Sequence, residues 1–178
     1  MKKVIKSLIL IICLMTLTGC LNGNQNKPKD NIYNKSFGSY KVEDGWIEDR
    51  KHSSNNKFFY VLNGTEKESK PNNISINQGK NKYSEDEHMN FRDAIVRQLS
   101  YQIKGRNDIE LKANGSYTDN DYVVYTFEIY EENKDITTTQ YYIVGDYKYV
   151  LIHETVHGTS IETDEVAKTM VNTFKWKD

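Results

Sequence analysis

Apolar positions recur along the chain at two spacings, and the switches between them mark the elements. Between residues 36 and 79 the spacing is two. In "SFGSYKVEDGWIEDR" Tyr40 and Val42 flank a charged step, Glu43-Asp44-Gly45 makes an acidic turn and Trp46-Ile47 resumes, which predicts strand, turn, strand. "KFFYVLNG" at 57–64 predicts a short apolar strand closing on Asn63-Gly64, and "NNISINQG" at 72–79 sets Ile74 and Ile76 on one face of another. At Ser84 the spacing becomes helical. Ser84 suits an N-cap, Glu87 completes a capping box, and Phe91, Ala94, Ile95, Leu99 and Ile103 form one apolar stripe. Gly105 stands where a C-terminal cap belongs, so a helix is expected over about 85–104.

The period then returns to two. "DIELKANGSYT" at 108–118 reads as one strand, bulged or turned at Asn114-Gly115. In "DYVVYTFEIYEE" Val123, Tyr125, Phe127 and Ile129 share a face, "DITTTQYYIVGD" is rich in β-branched and aromatic residues, and "YKYVLIHETV" runs from 147 to about 156. Separators of hairpin length make these an antiparallel meander. A last helix over about 163–175 carries Val166, Ala167, Met170, Val171 and Phe174 on one side and leaves Trp176 to pack. Strands, helix, strands, helix is the order of an α+β fold: an antiparallel β-sheet flanked by helices, an α/β/α sandwich.

The first twenty residues follow neither period. Lys2, Lys3 and Lys6 precede an apolar run, Leu8–Leu17, interrupted only by Thr16. That run is short for a permanent membrane span and suits the core of a signal peptide. It ends in "LTGC", Leu17 to Cys20, which resembles the lipobox of bacterial lipoproteins. The resemblance implies that residues 1–19 are a signal peptide, and that Cys20 is lipidated and becomes the mature N-terminus. Acyl chains on Cys20 hold firmly, because each buried methylene contributes roughly 0.8 kcal/mol. "LNGNQNKPKDN" at 21–31 is too polar to fold, so 20–31 is expected to be a flexible tether and 32–178 a single globular domain. The expected location is the extracytoplasmic face of a bacterial cell membrane, lipid-anchored through Cys20.

Charge and cysteine content narrow the function classes. The net charge of −1 becomes −4 once Lys2, Lys3 and Lys6 leave with the signal peptide. A mildly acidic domain offers no electrostatic reason to expect nucleic acid. Cys13 leaves and Cys20 is acylated, so the domain has no thiol for catalysis, redox exchange or zinc. Neither a glycine-rich phosphate loop nor calcium-loop spacing occurs, and no cofactor is implied. The 13 tyrosines, mostly on predicted strands, are half-buried sheet residues or line a groove.

The layout resembles the PsbP and Mog1-like family, as found in small secreted bacterial lipoproteins. The matching stretches are "SYKVEDGW", the central meander and "TMVNTFKW", and the resemblance covers roughly residues 37–177. It implies an antiparallel sheet between helices, used mostly for binding or assembly; the expected partner of this chain is a cell-surface protein.

One motif points elsewhere. "HETVH" at 153–157 fits H-E-x-x-H, in which a helix brings two histidines to one zinc. Here it continues the β-rich run "YKYVLI", contains Thr155 and Val156, and is followed at once by Gly158. On a strand His153 and His157 point the same way but stand about 13 Å apart, too far to share an ion. His153 is therefore expected at a strand end and His157 in the turn before the last helix, with at most a weak metal contact. The reading that results is a non-enzymatic, membrane-anchored binding or assembly module. Its alternatives are a small metal-dependent hydrolase with a site near His153–Glu165, in which Glu162, Asp164 or Glu165 approaches His157, and a ligand-binding accessory or sensor lipoprotein.

Overall fold

The computed structural model describes residues 28–177; the predicted signal peptide, Cys20 and most of the tether lie outside them. Among the described residues ten strands make two antiparallel sheets, accompanied by two α-helices. The smaller joins β1 (Ile32–Asn34), β2 (Gly38–Lys41) and the last strand, β10 (Lys175–Trp176), in the order β1-β2-β10. The larger contains β3 (Trp46–Glu48), β4 (Lys57–Leu62), β5 (Asn73–Lys80), β6 (Ile109–Tyr117), β7 (Val123–Glu131), β8 (Ile136–Gly145) and β9 (Lys148–His157). Their order is β3-β4-β5-β9-β8-β7-β6, every neighbour antiparallel. The first long helix, α1 (His88–Ile103), carries the chain from β5 to the far edge at β6. The meander β6 to β9 then walks back until β9 pairs with β5.

The two helices cover opposite faces. Phe91 and Leu99 of α1 pack on Tyr125, Phe127, Tyr142 and Val144. The second helix, α2 (Ile161–Asn172), lays Val166, Ala167, Met170 and Val171 on Ile74, Ile76, Ile143, Val150 and Ile152. Alternation along β8 and β9 supplies both layers, since consecutive side chains leave a strand on opposite sides. The α+β class and the α/β/α layering read from the pattern are thus those of the structure. The small sheet closes the α2 side, where Tyr40 and Tyr60 are buried and their hydroxyls hydrogen-bond at 2.7 Å. Two polar groups that burial would otherwise leave unpaired satisfy each other.

Four local expectations change. The strands on either side of the Glu43–Gly45 turn enter different sheets instead of pairing, with Gly45 at φ 87° turning the chain between them. Asn114-Gly115 is no turn: β6 runs unbroken against β7, from Ile109 opposite Glu131 to Tyr117 opposite Val123. The reversal comes later, where Thr118 Oγ1 accepts from the N–H groups of Asn120 and Tyr122 and Asp121 adopts φ 63°. The helix expected at 85–104 opens with a 3₁₀ turn, Glu85–Glu87, in which the Glu87 carboxylate accepts from the Ser84 N–H at 3.1 Å. The last helix starts two residues earlier than expected and ends three earlier. Ser160 Oγ caps it by accepting from Thr163 N–H, and Thr173 then turns the chain away, its Oγ1 accepting from Lys41 N–H at 2.9 Å. Phe174, expected on the helix, is fully buried just beyond it as the chain enters β10.

Candidate functional site

The histidines of "HETVH" lie on β9, which is longer than expected. It continues through His157 because the pairing with β8 holds to Ile136 opposite His157, and because His157 N–H donates to Asn72 Oδ1 at 2.8 Å. His153 is therefore inside the strand, between Ser75 of β5 and Gln140 of β8, and His157 is its last residue. The turn begins only at Gly158, whose φ of 72° suits glycine. Four strand residues separate the two imidazoles by about 13 Å. Among the described residues no three His, Cys, Asp or Glu side chains gather as a metal-ligand group. Burial, with the Lys57 ammonium nearby, holds His153 down at about 4, so its imidazole is neutral at physiological pH.

The carboxylates expected near His157 face elsewhere. Glu162 and Glu165, with Val166 and Thr169, line a shallow surface groove whose other wall is Glu43 and Asp44. Glu43 Oε1 accepts from Thr169 Oγ1 at 2.8 Å and Asp44 Oδ1 from Asn31 Nδ2 at 3.0 Å, so both tie the β2–β3 turn to its neighbours. Glu162 and Asp164 sit in the first turn of α2, where carboxylates complement the helix dipole.

The residue that sequence reasoning passed over is the second letter of the motif. Glu154 alternates with the histidines and so points to the α2 side, where it is 2 % exposed. The signal was present: Glu154 stands in register with Val150, Ile152 and Val156, a charge in an otherwise apolar row. Tyr141 of β8 lies between Glu154 and α2, its Oη 3.5 Å from Glu154 Oε2 and 3.3 Å from Asp164 Oδ1. Lys168 Nζ donates to Asp164 Oδ2 at 2.6 Å. Burial first, and then the Asp164 charge, push Glu154 up to about 7, against hydrogen bonds from Thr139 and Tyr141. One phenolic proton cannot serve two carboxylates. Tyr141 O–H thus stands between the two carboxylates and donates to one of them at a time. Glu154 and Tyr141 are buried, whereas Asp164 and Lys168 reach the surface.

Tyr33, Tyr40, Tyr60, Tyr125, Tyr141 and Tyr142 are buried in the two cores, while Tyr101, Tyr117 and Tyr147 are exposed at separate places.

No protein-family model matches the chain, and no curated protein matches it. Solved structures resemble it in fold. A protein of Bacteroides thetaiotaomicron VPI-5482 is similar at a TM-score of 0.48 and 15 % identity over 79 % of this chain, which spans 45 % of that protein. The cyanobacterial PsbP (CyanoP) of Synechocystis sp. PCC 6803 is similar at 0.48 and 14 % identity, over 90 % of this chain and 99 % of its own.

Proposed function

We propose that this protein is a lipid-anchored extracytoplasmic lipoprotein whose folded domain binds, or helps assemble, another cell-surface protein without catalysing a reaction. The observation that carries the reading is the N-terminal order of basic residues, apolar run, "LTGC" and polar tether, which ends where the fold begins. A domain held by such a leash works on what it meets at the membrane surface. The geometry of "HETVH" favours binding over hydrolysis, because His153 and His157 lie apart on one strand and Glu154 is buried on its other face.

The test is crosslinking in the cell, from photoreactive residues placed on the exposed surface of the full-length chain. A discrete protein neighbour, recovered from the wild type and lost when Cys20→Ala abolishes anchoring, is the expected result. Background crosslinks alone, unchanged by Cys20→Ala, would refute the reading. So would stoichiometric zinc in the purified protein that disappears in His153→Ala or His157→Ala.

A further inference from the structure

The far edge of the large sheet is open. β6 ends the strand order, its nine residues pair with β7 on one side, and among the described residues no strand pairs its other side. From Lys112 to Tyr117 every residue is exposed, so this stretch is bare on both faces as well as along its edge. Tyr117 alone leaves 68 % of its surface in water.

Edge strands usually carry a device that stops them pairing with another chain: a bulge, a proline or an inward charge. β6 has no bulge, since its register with β7 is unbroken, and it has no proline. It does carry two charges, Glu110 and Lys112, opposite in sign and two residues apart, hence on one face. Their charged groups lie 3.5 Å from each other, and Lys112 also lies 3.3 Å from Glu128 of β7. A lone lysine would repel a second copy of the same strand. A Glu and a Lys spaced by two choose a register instead.

Antiparallel pairing of β6 with itself has a twofold axis, and the position of that axis decides which side chains meet. An axis at Glu110 or at Lys112 opposes like charges. At Ala113 it sets Lys112 against Asn114 and Glu110 against Ser116. At Leu111 it sets each Glu110 against the other copy's Lys112, twice over. On the α1 face the same axis brings Leu111 against Leu111 and Ile109 against Ala113, while Asp108 stands opposite Asn114 at the ends of the charged face. Residues 108–114 then form a ladder of about the usual strand length. Cross-strand pairs of opposite charge and of apolar side chains are those that stabilise such a ladder.

We propose that the edge of β6 is a homodimer interface, in which two copies pair antiparallel about Leu111 and lock their register with two Glu110–Lys112 ion pairs. The two seven-stranded sheets become one continuous sheet, and the edge of β6 is closed as far as Asn114. The pairing rests on β6 and not on lipid anchoring, although two copies tethered in one membrane would meet at a raised effective concentration.

The test uses the full-length chain in membranes. Its only cysteines are Cys13 and Cys20, so a cysteine added to β6 reports alone from the folded part. A disulfide needs Cα atoms within about 7 Å, a condition the axis residue meets. Copies of Tyr117 stand twelve strand positions apart, roughly 40 Å. Mild oxidation is expected to give a covalent dimer from Leu111→Cys and none from Tyr117→Cys. Glu110→Lys or Lys112→Glu should lower the Leu111→Cys crosslinking about tenfold by opposing like charges, and the double exchange should restore it. Sedimentation of Glu110→Lys, Lys112→Glu and the double exchange in detergent reads the same order with Leu111 untouched. A monomer throughout, equal crosslinking at Tyr117→Cys, or no rescue by the double exchange would overturn the proposal.

Discussion

Glu154 and His153 are neighbours on β9, and the alternation of the strand sends them to opposite sides with opposite consequences. Glu154 is pushed up to about 7 by burial and by Asp164, whereas His153 is held down at about 4 by burial and by Lys57. For Glu154 the folded value lies above the ordinary one. Its contribution is therefore complete below about 4.5 and is lost as pH rises through about 7. For His153 the folded value lies below the ordinary one, so its contribution is complete above about 6.5 and is lost as pH falls through about 4. The two oppose each other across one pH window. Glu154→Gln should unfold like the wild type near pH 4.5 but be more stable at pH 8, by on the order of 3 kcal/mol. Urea denaturation at a series of pH values checks this, and a constant difference from pH 4.5 to 8 would refute it. The position of Glu154 in the apolar row of β9 was legible from the sequence. Its partners were not, because Tyr141 comes from β8 and Asp164 from α2, and only tertiary packing brings them together.

At the scale of elements, periodicity carried most of the way and long-range pairing decided the rest. The stripe of α1, its glycine end at Gly105 (φ 79°) and the common face of Val123, Tyr125, Phe127 and Ile129 were readable because each depends on neighbours within one element. Asn114-Gly115 misled because the dipeptide favours a turn only where the flanking strands can pair with each other. Here both flanks pair with β7, and Gly115 lies beside the Tyr125 ring instead. The parting of β2 from β3 was invisible for a similar reason, since β2 is claimed by β10 at the far end of the chain. That claim has a steric condition. A Cβ at Gly38 would collide with the Lys175 carbonyl oxygen and stand 2.8 Å from the Phe174 ring. Gly38→Ala is expected to cost about 1–3 kcal/mol by forcing β10 and Phe174 apart from β2. Ser160→Ala, which removes the cap of α2, should cost about 1 kcal/mol. Thermal unfolding of both variants checks the order; a neutral Gly38→Ala would mean that the small sheet adds nothing to stability.

At the scale of the whole molecule, the order strands, helix, strands, helix determines the layers, because each apolar face must find a cover. α1 crosses one face on its way to β6, and α2 returns over the other. The functional reading comes from another part of the chain. Within the fold, "HETVH" supplies two separated histidines and a buried acid, while the proposed location rests on "LTGC". Attachment through Cys20 is therefore the claim on which the functional account turns. It is tested most directly by labelling cells with a radioactive fatty acid and fractionating wild type and Cys20→Ala. The account predicts label and membrane sedimentation for the wild type, and an unlabelled Cys20→Ala chain with its leader uncut at that position. Equal labelling of both chains, or a wild-type chain that carries no label, would contradict it.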